Sequence, residues 1–101
     1  MAKLIERIGR ETIVDGIPIN LSKLVNVGVE IVVANIIASD WANGQKRDLL
    51  WSKEAALKTA MEIAQSYGCS YVMLGNNPQL LKIEGQHSYY LFIATFYSEK
   101  A

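Results

Sequence analysis

Between Ser88 and Ser98 the chain reads SYYLFIATFYS, a segment with almost no polar position. Side chains alternate along an extended backbone, so Tyr89, Leu91, Ile93, Thr95 and Tyr97 point one way and Tyr90, Phe92, Ala94 and Phe96 the other. Both faces are apolar. Val29 to Ala38 behaves alike, because Glu30 and Asn35, its two polar residues, fall on opposite faces. A sheet with one wet face shows polar alternation, whereas strands covered on both sides read as continuous apolar runs. Any fold of this chain therefore has to find cover for both faces of a sheet.

One cover is visible in SKEAALKTAMEIAQSYG, Ser52 to Gly68. Leu57, Ala60, Met61, Ala64 and Tyr67 recur at three- and four-residue spacing, and Ala56 and Ile63 widen the stripe. Glu54, Lys58, Glu62 and Gln65 take the opposite side. Ser52 is the expected N-cap, Glu54 suits the positive end of the helix dipole, and Gly68 is the expected left-handed stop. This predicts an amphipathic helix on one face of the sheet. The second face is left to residues 1–27 or to another subunit, and Tyr90, Phe92 and Phe96 are the candidate interface residues.

Around these two elements, Cys69 to Gly75 reads as a short buried strand and Asn76-Asn77-Pro78 as a turn. Gln79 to Glu84 pairs with Ser88 to Ser98 through Gly85-Gln86 as a hairpin. Val29 to Ala38 is expected as a central strand. Asp15-Gly16 signals a tight hairpin, and Pro18 puts its second strand at an edge because proline cannot donate to a ladder. Leu21 to Val27 fits either a helical turn or a strand. The expectation is one α+β domain over residues 1–101, with a small, mostly antiparallel sheet: a β-rich N-terminal half, then helix, strand and hairpin.

A chain of 101 residues buries roughly 65% of its unfolded surface. Half of it is hydrophobic and a fifth charged, unlike a disordered segment. Ten basic residues balance ten acidic ones, which removes the basic footprint of a nucleic-acid or anionic-membrane binder. The longest apolar run is half the length that spans a bilayer, and the charged start lacks the apolar core of a secretory signal. The single cysteine, Cys69, makes no intrachain disulfide, which points to a reducing compartment such as the cytoplasm.

Chemistry is thinly represented. Cys69 and His87 are the one formal nucleophile and base pair, and the bland reading makes them a buried small hydrophobe and a loop residue. Two such residues fall short of the four ligands of a structural zinc site, so no metal is expected. Phosphate-loop, dinucleotide and metalloprotease motifs are missing, no cofactor is implied, and no catalytic residue is assigned. Scattered carboxylates such as Asp40 and Glu84 meet only if the fold brings them together.

The segment SDWANGQKRDLLW, Ser39 to Trp51, is expected as an exposed turn before the helix. Trp41, Lys46 and Arg47 are its candidate binding residues, since an aromatic ring beside two cations can stack on and neutralise a nucleotide- or flavin-like ligand. The alternative packs Trp41 and Trp51 on the core and leaves Lys46 and Arg47 solvated.

Ala56, Ala60 and Ala64, followed by Gly68-Cys69-Ser70 and the strand Tyr71 to Leu74, resemble the helix-to-strand segment of the YbjQ-like family of small bacterial proteins. The resemblance covers about a third of the chain. It implies a compact α+β subunit that assembles into rings, with no catalytic residues to carry over. Dodecin-like flavin-binding assemblies share the strand, helix, strand, strand order, without a residue-level motif in common.

The apolar surplus and the missing catalytic constellation favour a non-enzymatic assembly or partner-binding module, a homo-oligomer or a complex with a protein partner. A small-ligand module built on the Trp41 to Trp51 loop is the alternative, and an enzyme ranks third.

Overall fold

A computed structural model of the chain describes residues 2–37, 44–75 and 78–100, with side chains in the helix described from Trp51 onward. It shows a mixed α+β fold with one helix and seven strands among the described residues. The strands are β1 (Lys3–Ile8), β2 (Glu11–Val14), β3 (Ile17–Ile19), β4 (Leu24–Ile37), β5 (Tyr71–Leu74), β6 (Gln79–Glu84) and β7 (His87–Glu99). The helix α1 (Gly44–Tyr67) lies between β4 and β5. The sheet runs β3-β2-β1-β5-β7-β4, and β6 joins the same side of β7 as β5. Every pairing is antiparallel except β1 with β5.

Turn chemistry fixes the N-terminal meander. Asp15 (φ 52) and Gly16 (φ 78) both take positive φ between the paired residues Val14 and Ile17. A type I′ turn demands that geometry, and it matches the twist of the strands it joins. Pro18 lies in β3, at the end of the sheet where a missing N–H costs no ladder bond. The ambiguous stretch resolves into both options, a 3-10 turn at Leu21–Lys23 capped by the Asn20 side chain and then the start of β4.

The helix is longer than expected, beginning at Gly44, so Ser52 is no N-cap. Ser52 is instead fully buried in its interior, in line with Ala56, Ala60 and Ala64 at four-residue spacing. Gln45, Lys46, Arg47, Leu49 and Leu50 are good helix formers, and together they extend the helix past the turn signal of Asn43-Gly44. Its end follows expectation. Gly68 (φ 67) is the left-handed residue, its N–H bonds Gln65 O at 3.1 Å and the Cys69 N–H bonds Ala64 O at 3.1 Å, both arms of a Schellman cap.

The small stripe of α1 lets the helix lie close on the sheet, and the large side chains come from below. Val32, Ala34 and Ile36 of β4, Tyr90, Phe92, Ala94 and Phe96 of β7, and Val72 and Leu74 of β5 form the core with the helix alanines. Ile5 and Val14 are buried apart from this cluster. No described helix is long and apolar enough to cross a membrane.

Two expectations are corrected here. Tyr90, Phe92 and Phe96 are 8%, 1% and 0% exposed and belong to the helix side of the sheet, so they are core residues and not an interface of the folded chain. The strand at Val29 to Ala38 is not central, since β4 pairs with β7 alone among the described residues. Its apolar character reflects the helix on one face and an uncovered surface on the other.

Candidate functional site

Register defines the uncovered surface. Along the β4 and β7 ladder, Val29 pairs with Thr95, Ile31 with Ile93, Val33 with Leu91, Asn35 with Tyr89 and Ile37 with His87, all pointing away from α1. A bulge between Asn26 and Gly28 lets Val27 stand out of register and puts Asn26 opposite Tyr97 on the same face. Tyr71 and Met73 of β5, opposite Tyr97 and Thr95, widen it. Ile31 is 64% and Ile93 53% exposed. Residues 2–27 leave this face open: β1 adds a strand beside β5, and the meander extends the sheet sideways.

The face has an apolar centre and polar ends. Val29, Ile31, Val33, Leu91 and Ile93 carry no charge. At one end Lys82, on β6 opposite Tyr89, holds its ammonium 4.8 Å from the Tyr89 ring centroid and 3.0 Å from Glu84 Oε1. The bond to the Glu84 carboxylate, and then its charge, raise the Lys82 pKa. His87 Nδ1 lies 3.2 Å from Asn35 Oδ1 at the same end. At the other end the Tyr71 hydroxyl donates to Glu99 Oε1 at 3.2 Å. An apolar middle ringed by hydrogen-bonding groups is the anatomy of a protein interface.

Its size fits that use. At about 3.4 Å per residue and 4.8 Å between strands, a ladder of this length three strands wide projects to about 600 Å². That is the upper end of the apolar patches found on monomers and close to the ~800 Å² per partner of a standard interface. The outer edge of β4 adds a second feature, a row of backbone groups without a neighbouring strand among the described residues.

A cleft of 420 Å³ lies between β1 and α1. Ile5, Leu57 and Leu74 line it, and Glu6, Arg7, Lys53 and Glu54 stand in solvent around it. The volume suits a small molecule, but two acids and two bases select no sign of charge, and among the described residues no buried polar side chain lines it. This space carries no recognisable chemistry.

The other candidates do not converge. Cys69 is buried just before β5, its thiol 3.4 Å from Ala64 O and its pKa pushed up by burial. His87 opens β7 about 30 Å from that end of the sheet, since Tyr71 pairs with Tyr97 ten residues further along. No nucleophile and base pair forms between them. Lys46 and Arg47 sit in the first turns of α1 and not in a loop, whereas Trp41 and Asp40 lie outside the described residues. Among the described residues no three His, Cys, Asp or Glu side chains gather as a metal site.

The open face is the odd-numbered set of β7, whereas the interface expected from the sequence, Tyr90, Phe92 and Phe96, lies on the even-numbered set. The available signal was volume. A helix that presents alanines needs large side chains opposite, so Phe92 and Phe96 belonged beneath it. Comparison of the chain with protein-family models, curated proteins and solved structures finds no match.

Proposed function

We propose that the chain is a non-enzymatic assembly module that docks protein on the open face of its sheet. The observation that carries this is the pairing of an uncharged, half-exposed aliphatic centre with polar ends on a single sheet face. Water in contact with such a surface is released when a second apolar surface replaces it, and the polar ends restrict which surfaces fit. A free, buried Cys69 suits a reducing compartment such as the cytoplasm.

The direct test is Ile93→Lys. A lysine at the centre of the face has to be desolvated on docking, so sedimentation of the variant is expected to show loss of association with unchanged circular dichroism. Association that survives the substitution, in a folded variant, excludes this face.

A further inference from the structure

We infer that the occupant of the open face is a second copy of the chain, turned about a two-fold axis that lies in the interface, runs across the strands and passes over the Ile31 and Ile93 row. The inference rests on the docking role of this face and specifies its partner and register.

The face is nearly symmetric about its central row. Outward-pointing residues of β7 read Tyr89, Leu91, Ile93, Thr95, Tyr97, and those opposite them on β4 read Asn35, Val33, Ile31, Val29, Asn26. Read from the centre, each direction gives an isoleucine pair, then a row built on a valine, then a tyrosine beside an asparagine. A two-fold axis over the central row sets each row against the row equally far from it on the other copy, so that the apolar rows meet each other and the tyrosine and asparagine ends meet each other. Ile93 then meets Ile93, Leu91 meets Thr95, and the Tyr89 row meets the Tyr97 row.

The bulge at Val27 is what completes the pattern, since without it Val27 and not Asn26 would stand opposite Tyr97. Charge agrees with the same orientation. Lys82, beside Tyr89 and already paired with Glu84, comes to the end at which Glu99 of the second copy accepts from Tyr71. A chain of zero net charge meets no long-range repulsion from its own copy. The ~600 Å² projection, about 1,200 Å² over two copies, reaches the lower end of specific interfaces, and two twisted sheets packed in this way cross at about 30°.

The test uses Tyr89→Cys and Tyr97→Cys, each in the full chain with Cys69→Ala, joined by a short bismaleimide. The mixture is expected to cross-link several-fold more than either variant alone, and Ile93→Cys alone is expected to cross-link with itself. Leu91→Cys with Thr95→Cys gives the same contrast if a tyrosine variant does not fold. Like-with-like coupling at residue 89 would overturn the orientation. A wild-type chain that associates while none of these positions cross-links, as pairing along the β4 edge would give, overturns the inference and leaves a docking module. A monomeric wild-type chain likewise overturns the inference and leaves the open face to a different protein partner.

Discussion

Ile31 and Ile93 face each other across the β4 and β7 ladder, each more than half exposed, while Val32 and Phe92, the next pair along, are almost wholly buried. One residue of register separates the core from the open face. Substitutions at neighbouring positions therefore have different consequences. Phe92→Ala removes most of a buried ring and is expected to cost about 3–5 kcal/mol of folding stability. Ile93→Ala, studied at a dilution where association does not contribute, is expected to cost less than about 1 kcal/mol. Urea denaturation followed by circular dichroism checks both, and equal losses would put Ile93 in a covered position.

The small stripe of α1 is set by the closeness of helix and sheet. Ala60 is fully buried against the core, and Ala60→Leu introduces atoms for which there is no room. Overpacking of this kind costs about 1–3 kcal/mol, read as a lowered urea midpoint. Ala55→Leu, on a partly buried flank of the same helix, serves as the control and is expected to change the midpoint much less.

Tyr67 closes the C-terminal end of α1 over the sheet. Its ring meets Phe96 edge-on at 5.7 Å, and its hydroxyl donates to Glu30 Oε1. That bond, followed by the charge of Glu30, raises the Tyr67 pKa above the ordinary tyrosine value. The folded state then holds its proton more tightly than the unfolded chain. The stabilisation is full below the unfolded pKa of about 10 and is lost as pH rises through the folded value. The stability of wild type is expected to fall with pH in that window more steeply than that of Tyr67→Phe, measured by urea midpoints at increasing pH. Parallel profiles would remove Glu30 from the titration.

Much of this fold was legible in the chain. The body of the helix and its Gly68 stop, the Asp15-Gly16 turn, the edge position of Pro18 and the final hairpin all follow from short-range signals that the tertiary structure leaves in force. Where tertiary contacts decide, local signals mislead. Ser52 looks like a cap because serine favours caps, but it serves as a small residue beneath which the sheet can approach. The strand β1 shows too brief an alternation in Lys3–Ile8 to announce itself, and it exists because β5 and β2 pair with it. An apolar run such as β4 reports that both faces lack charge, yet it does not say whether the second face is covered. The choice between the two faces of β7 needed the side-chain volumes of the helix above it.

The central claim is that this sheet face is completed by a second copy. Light scattering coupled to size exclusion, run over a concentration series, measures that directly. The account predicts a mass of twice the 11.2 kDa chain at the upper concentrations, returning to 11.2 kDa in Ile93→Lys. A wild-type chain that stays at 11.2 kDa throughout the series would contradict it.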